Sequence, residues 1–262
     1  MGLTLCILAS GSSANCIYVA SETTRILIDA GLSGKETARR LEQIGSDIAS
    51  IRAICVTHEH DDHRSALGIL HRRFKTPLYA NAGTIKAIEL EGARPELSWQ
   101  VFTTGAPFDV GDLHVEPFSV PHDSYDPVGF AVGNGAHRIG IVTDMGMSTT
   151  LIRQRLKNCH ALVVEANHDE AMLKEAKRPW SLKQRILSGQ GHLSNSQAAE
   201  LIAEIAGPQL RAVFLVHLSS ECNTPELAVR TIRKELEKQG HGHVELKLSF
   251  ADRVSDVLRL EG

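Results

Sequence analysis

The segment Thr57 to His63, Thr-His-Glu-His-Asp-Asp-His, follows directly on a short apolar run and constrains the fold of this chain more than any other feature. Imidazole and carboxylate side chains together suit divalent ions such as Zn²⁺ or Mn²⁺. On a helix, His58 and His60 would point to nearly opposite faces, so the pair is expected at a strand end or in a loop. There the backbone can direct His58 and His60 to one ion, and Asp62 and His63 to a second. The segment therefore indicates a two-metal hydrolase.

Length and composition are those of a globular protein with a sizeable core. The chain has 262 residues, 42% of them hydrophobic, and no linker-like stretch divides it, so we expect a single domain over residues 1–262. The net charge of −3 gives no overall attraction to nucleic acid or to a membrane. Two divalent cations would outweigh the carboxylates that hold them, so a polyanion would be drawn to the metal cleft alone.

The cysteines and the N-terminal residues predict a soluble protein of the cytoplasm. The five cysteines are odd in number, scattered and without a CxxC pair, which suits small core residues in a reducing compartment. The first eleven residues lack a basic region before their short apolar run and are typical of a first strand. No apolar stretch approaches the length that is needed to span a bilayer.

Strand-like and helical patterns are interspersed along the chain, which predicts an α/β layered fold instead of an all-β barrel or a helical bundle. Helices are expected over residues 34–44, 65–74, 148–157, 195–205 and 225–238. Strands are expected over residues 3–9, 16–20, 25–29, 53–56, 77–80, 113–120, 128–132, 138–143, 161–166 and 212–216.

Three further potential ligands lie at the ends of predicted strands. His122 comes just past one strand, and Asp144 and His217 end two others. Side chains at strand ends can converge on one edge of a sheet. Each of the three alone would be an ordinary polar strand end, but together they are candidate metal ligands. Asp29 ends an earlier strand and is expected to support a ligand or a turn.

These residues, in this order, resemble the metallo-β-lactamase superfamily. The HxHxDH signature is matched by residues 58–63, and the later histidine, bridging aspartate and final histidine fall on His122, Asp144 and His217. Within the superfamily the chain looks most similar to the WalJ/YycJ-like group. It departs from that group at Ala14, where a second glycine is expected, and at 221–223, where more asparagine is expected. The segments that carry the similarity are 10–16, 121–123, 165–169, 191–195 and 217–219.

The resemblance implies a metallo-β-lactamase fold, a four-layer αββα sandwich with two mixed sheets, and two divalent ions (Zn²⁺ or Mn²⁺). Two such ions can share a hydroxide near neutral pH, and Asp62 could orient it. By the same resemblance, His58, His60 and His122 would hold one ion, Asp62, His63 and His217 would hold the other, and Asp144 would bridge them.

His192 is the candidate general acid. It precedes a helix whose natural N-cap is Ser194 or Asn195, so its imidazole would lie beside backbone N–H groups that favour anions. In related phosphodiesterases of the superfamily, a histidine in a similar loop protonates the leaving oxygen. Ser194, Asn195 and His168 are expected near the substrate, and His168 could bind phosphate or lie further away.

The small polar loop 10–15 has two possible roles. Its N–H and hydroxyl groups, with Ser10, Ser12 and Asn15 as candidate substrate contacts, could line an anion pocket. As a bare pattern it is a tight turn, and it lacks the ending of a Walker loop. A basic run could also contact a nucleic-acid backbone, although a solvated helix face is its usual role. The run comprises Lys174, Lys177, Arg178, Lys183 and Arg185, with Trp180 among them.

The resemblance implies a dinuclear metal-dependent phosphodiesterase, in particular a 5′-to-3′ exonuclease whose substrate is nucleic acid, DNA in preference to RNA. A small-molecule phosphodiesterase, acting for example on cyclic phosphates, is an alternative. Thioester or lactam hydrolysis uses the same metal core in other relatives, but the His192 loop argues against this activity. A non-catalytic binding module would lack a ligand, and no ligand is missing from the sequence.

Overall fold

The computed structural model describes residues 2–90 and 97–261, which form two seven-stranded sheets flanked by helices. The helices are α1 (Gly34–Gln43), α2 (Asp61–Arg64), α3 (Leu67–Phe74), α4 (Ala82–Leu90), α5 (Thr150–Leu156), α6 (Glu170–Glu175), α7 (Trp180–Leu187), α8 (Asn195–Ile205) and α9 (Pro225–Lys238), with a 3₁₀ turn at Ile48–Ser50. The strands are β1 (Leu3–Ala9), β2 (Cys16–Ala20), β3 (Arg25–Ile28), β4 (Ala53–Cys55), β5 (Leu78–Asn81), β6 (Trp99–Phe102), β7 (Phe108–Val110), β8 (Leu113–Ser119), β9 (Val128–Gly133), β10 (Arg138–Val142), β11 (Ala161–Glu165), β12 (Ala212–Val216), β13 (Glu245–Leu248) and β14 (Leu258–Leu260).

Both sheets mix antiparallel and parallel pairs in the same way. The first sheet has the order β14-β1-β2-β3-β4-β5-β6 and the second β13-β12-β11-β10-β9-β8-β7. The strands from β14 to β3 are paired antiparallel and those from β3 to β6 parallel. In the second sheet, β7 to β10 are antiparallel and β10 to β13 parallel. The first sheet thus uses the start of the chain and its last strand, and the second sheet uses the middle.

Buried apolar side chains fill three layers, because the central strands are covered on both faces. In β4, the side chains of Ala53 and Cys55 face the layer between the sheets, while Ile54 faces the helices outside. In β11, Val163 points inward and Leu162 outward. Helices α1 and α3 cover the outer face of the first sheet, and α5, α8 and α9 cover that of the second. The predicted α/β class and the four-layer sandwich with two mixed sheets are confirmed.

Most elements match the predicted ranges within two residues. The signature segment is an exception. Asp62 and His63 were expected at a strand end or in a loop, but they lie on the short helix α2, which precedes α3. Helices α4, α6 and α7 and strands β6, β7, β13 and β14 were not predicted. All five cysteines are buried and unpaired. Across 2–90 and 97–261, no helix is long and apolar enough to cross a membrane.

Candidate metal centre

The candidate ligands come from loops and short helices at one edge of the two sheets. His58 follows β4 of the first sheet, and His60 occupies the N-cap position of α2. His122, Asp144 and His217 follow β8, β10 and β12 of the second sheet. The backbone is left-handed at Asp144 (φ 51°) and at His217 (φ 55°), which is uncommon for residues other than glycine. Such costly conformations cluster at functional sites, where they direct a side chain.

The ligand atoms of these residues gather in overlapping groups whose members lie within 4.8 Å of one another. One group is His58, His60 and His122, and another is Asp62, His63 and His217. These are the two trios that the resemblance implies.

Asp144 lies between the two trios. One of its oxygens is 3.2 Å from His63 Nε2, and the other is 3.5 Å from His217 Nε2 and 4.0 Å from His122 Nε2. Its carboxylate therefore faces histidines of both trios, as a bridging ligand must.

Hydrogen bonds fix the orientation of the imidazole rings in the first sheet. His63 donates through Nδ1 to Asp29 Oδ2 (2.7 Å), and Thr57 Oγ1 donates to the same carboxylate (2.9 Å). Because the Thr57 hydroxyl uses its proton in that bond, Thr57 Oγ1 accepts the hydrogen bond from His58 Nδ1, which lies 2.9 Å away. Both rings therefore turn Nε2 towards the centre. Such outer contacts set the tautomer and the aim of a metal-binding histidine, and Asp29 has the supporting place expected of it.

The rings from the second sheet are held in the same way. His122 Nδ1 lies 3.3 Å from the carbonyl oxygen of Gly191, and His217 Nδ1 lies 3.3 Å from Glu165 Oε1. Their Nε2 atoms are buried and have no hydrogen-bond partner among the described residues, and the same holds for Asp144 Oδ2. Unpartnered buried polar atoms are costly. Nitrogen and oxygen donors that are buried, converging and unpaired fit divalent metal ions.

The charges around the centre keep its two candidate carboxylate ligands ionised, and the neighbouring carboxylates raise the pKa of His63 and of His217. Burial alone would raise the pKa of Asp144, but His217 and His63 outweigh it and hold the pKa well below its usual range. Burial likewise opposes ionisation of Asp62, and the neighbouring imidazoles of His217 and His63 lower its pKa. Both carboxylates are therefore ionised, as metal ligands must be.

Glu165, at the end of β11, connects the candidate acid to the metal centre. Its side chain is 0% exposed, and its Oε1 accepts a 2.6 Å hydrogen bond from His192 Nδ1 besides facing His217. Burial lowers the pKa of His192, but the charge of Glu165 outweighs this and raises it. The pKa of Glu165 falls to about 2, because His192 outweighs the effect of burial. No role was predicted for Glu165, although a glutamate ending an apolar strand is a signal, since buried glutamates are nearly always paired.

A cavity of about 390 Å³ opens onto these residues. Ser12 and His192 line it, and so do Arg178, Arg185 and Asn167. The candidate metal ligands His60, Asp62, His122, Asp144 and His217 line it as well. A site of this size can take a group as large as a nucleotide.

The 10–15 loop supports the ligands from behind. Asn15 Nδ2 donates to Asp62 Oδ2 (3.0 Å) and lies 3.0 Å from His63 Nε2. Ser10 Oγ accepts from the backbone N–H of His217 (2.8 Å) and donates to Asn15 Oδ1 (3.2 Å). Both side chains are buried and lie outside the cavity lining, whereas the exposed Ser12 lies on it.

The other candidate substrate contacts have structural partners or lie away from the cavity lining. Ser194 caps α8 in a capping box with Gln197, and Asn195 exchanges hydrogen bonds with Asn223. His168 is buried, and neither of its ring nitrogens has a hydrogen-bond partner among the described residues. None of these three lines the cavity onto which the candidate metal ligands face.

Comparison with known proteins identifies the family. Residues 24–218 match the model of the Beta-lactamase superfamily domain. The chain is 39% identical over 243 residues to exodeoxyribonuclease YycJ of Bacillus anthracis, covering 92% of each chain. It is 36% identical over 239 residues to exodeoxyribonuclease WalJ of Streptococcus pneumoniae serotype 2, covering 90% of this chain and 89% of that relative.

The crystal structure of the metallo-β-lactamase fold protein YhfI from Bacillus subtilis is similar in fold, with a TM-score of 0.75 at 13% identity and coverage of 98% and 99% of the two chains. The chain belongs to the β-lactamase superfamily and has the metallo-β-lactamase fold, so the predicted family is confirmed.

Proposed function

We propose that this protein is a dinuclear metal-dependent phosphodiesterase that degrades DNA as a 5′-to-3′ exonuclease. The observation that carries the proposal is the joining of two ligand trios and an acid-type histidine in one cavity. Two relatives that match nine-tenths of the chain bear the name exodeoxyribonuclease, which supports DNA as the substrate. The five buried, unpaired cysteines support a reducing, cytoplasmic setting.

Two divalent ions, Zn²⁺ or Mn²⁺, would be held by the trios of His58 and of Asp62, with Asp144 between them. When bound, they supply Lewis-acid stabilisation of the phosphate and activation of water. Asp62 faces the cavity and would orient the attacking water.

His192 would protonate the leaving oxygen. Its Nδ1 is held by Glu165, so the proton that it transfers is on Nε2. Because Glu165 raises the pKa of His192, the doubly protonated ring persists nearer to neutral pH, where it can act as an acid.

A cleavage assay with end-labelled substrates tests the proposal. DNA and RNA oligonucleotides with 5′-phosphate or 5′-hydroxyl ends are incubated with protein loaded with Zn²⁺ or Mn²⁺. We expect stepwise release of mononucleotides from the 5′ end of DNA and loss of activity with a chelator. The variant Asp144→Ala should lose bound metal and activity together. Failure of the metal-loaded protein to cleave any phosphodiester would overturn the proposal, and release from the 3′ end would overturn the polarity.

A small-molecule phosphodiesterase is the second candidate, because the volume of about 390 Å³ is sufficient for a single nucleotide. Cleavage of a cyclic nucleotide without any degradation of DNA would favour it. Lactam and thioester substrates leave the paired Glu165 and His192 without an evident role.

A further inference from the structure

Helix α7 and Arg178, two residues before it, form one wall of the metal cavity. Leu182, Arg185 and Ile186 line the cavity from one face of the helix, as the spacing of three and four residues allows. Arg178 lines it from just before the helix. The remainder of the basic run lies elsewhere. Lys183 is buried and donates to the carbonyl oxygen of Lys174 (2.6 Å), and the exposed Lys177 and Trp180 are outside the lining.

Each of the two cavity arginines is paired with a carboxylate from a neighbouring loop. Arg178 Nε donates to Glu221 Oε2 (2.8 Å), in the loop after β12. Arg185 Nε donates to Asp123 Oδ2, in the loop after β8. Arg185 is 61% exposed and Glu221 is 64% exposed, so water reaches both pairs. Exposed pairs of this kind contribute little to stability, and another anion can therefore replace the carboxylate.

This wall is attached to the molecule through a small cluster of its own. Leu173 of α6 and Ile186 of α7 pack with Cys222, and Ala176 and Leu182 lie against them, apart from the three main core layers. The backbone N–H of His192 donates to the carbonyl oxygen of Ile186 (3.0 Å). The wall that carries the arginines thus leads directly into the candidate general acid.

We propose that Arg178 and Arg185 bind phosphates that neighbour the scissile one, and that they thereby select polynucleotides over isolated phosphodiesters. The inference rests on the proposed function and refines its substrate class. A guanidinium binds phosphate through two parallel hydrogen bonds, a geometry in which a phosphate can take the place of Glu221 or Asp123. A small phosphodiester has no second phosphate to offer, so it gains nothing from these arginines.

The test compares two substrates in the full-length, metal-loaded protein. One is a DNA oligonucleotide and the other a nitrophenyl phosphodiester, and the measured quantity is the ratio of their kcat/KM values. We expect the double variant Arg178→Gln, Arg185→Gln to lower this ratio about 100-fold, at about tenfold for each charged hydrogen-bonding contact. The control Lys177→Gln removes one positive charge from the same segment outside the cavity, and should leave the ratio unchanged.

The salt dependence of kcat/KM and a variant that is expected to raise the kcat/KM ratio complete the test. Loss of two phosphate contacts should reduce the slope of log kcat/KM against log salt by about 1.4 for a single-stranded oligonucleotide. The variant Glu221→Gln frees Arg178 and should raise the ratio severalfold. An unchanged ratio in the double variant, with both substrates still cleaved, would overturn the arginine assignment alone. Absence of cleavage of either substrate by the unaltered protein would instead overturn the proposed function.

Discussion

One carboxylate oxygen serves two histidines with different tasks. Glu165 Oε1 contacts Nδ1 of His192 and of His217, so the aims of the candidate acid and of a candidate ligand depend on the same buried group. Asp29 has the corresponding place in the first sheet, where it holds His63 and Thr57. At the scale of single residues, the centre depends as much on these carboxylates as on the ligands.

Removing the charge of Asp29 should weaken metal binding. The substitution Asp29→Asn keeps the size of the side chain and tolerates the left-handed backbone (φ 63°), but it loses the charged acceptor of His63. We expect metal affinity to fall by about 10- to 100-fold, measured by competition with a chromogenic chelator. Asp112→Asn, far along the chain in the turn between β7 and β8, is the control. Unaltered affinity in Asp29→Asn would contradict the supporting role.

Removing the imidazole of His192 should separate rate from metal content. We expect His192→Ala to retain its metal, by elemental analysis, while kcat on DNA falls by about 10²- to 10⁴-fold. The loss should be much smaller for a nitrophenyl phosphodiester, because nitrophenolate leaves without needing a proton. Equal losses on both substrates would show that His192 is not the acid.

The candidate ligands, which the structure brings together, could be selected from the sequence because histidine and aspartate at strand ends form a recognisable order. Glu165 and Asn15 could not, because their roles depend on which rings they face across the molecule. The two arginines that line the cavity could not be distinguished from the other basic residues for the same reason. Arg178 and Lys177 are adjacent in the sequence and alike in charge, yet only Arg178 lines the cavity.

Among the elements, α8 shows how a candidate substrate contact can be a helix cap instead. Ser194 Oγ accepts from the backbone N–H of Gln197, and Gln197 Oε1 accepts from that of Ser194. We expect Ser194→Ala to lower the free energy of unfolding by about 1 kcal/mol in urea titrations. KM for DNA should stay the same. Ser196→Ala, exposed in the first turn of the same helix, is the matched control, and a large rise in KM without loss of stability would restore Ser194 as a substrate contact.

An ion-pair network joins β8, β10 and α5 on the second sheet. Glu116 binds Arg138 of β10 and Arg155 of α5, and its hydrogen bond with Arg138 lowers its pKa. A carboxylate with a lowered pKa adds stability that is complete above its unfolded pKa of about 4.3 and is lost as the pH falls through the folded value.

Glu116→Gln should therefore be less stable than the unaltered protein by about 1 kcal/mol at pH 7, and the difference should shrink as the pH falls below about 4.3. Thermal unfolding at a series of pH values measures it. A difference that stayed constant into acid would show that packing, and not charge, is lost.

Elements with long apolar runs were predicted closely, and short or polar ones were missed. Strand β12 and helix α9 match because their burial patterns are continuous or amphipathic. Strands β6, β7 and β13 are short, partly buried and at the sheet edges, although β6 and β13 alternate apolar and polar residues, a strand pattern that was not recognised. Helix α7 was missed because its few buried side chains pack in a small cluster and do not form a clear helical period of apolar residues.

For the whole molecule, metal binding should contribute to stability, because the two trios include ligands from both sheets. An ion present at 100 times its Kd stabilises the folded state by about 2.7 kcal/mol, which corresponds to a Tm higher by about 5–10 °C for a chain of this size. Scanning calorimetry with and without a chelator measures this difference. The Tm of Asp144→Ala should not depend on the chelator. If the Tm of the unaltered protein were the same with and without the chelator, the expected contribution of the metal to stability would be contradicted.

The trio of His58, His60 and His122 has a further consequence, because its members follow strands of different sheets. Two of them are neighbours in the sequence, and the third reaches the site only when the sheets have docked. Full coordination therefore requires that the two sheets have docked. The rate at which a refolding chain captures its ion with three nitrogens, followed by the spectrum of Co²⁺, would time the closure of the sandwich itself.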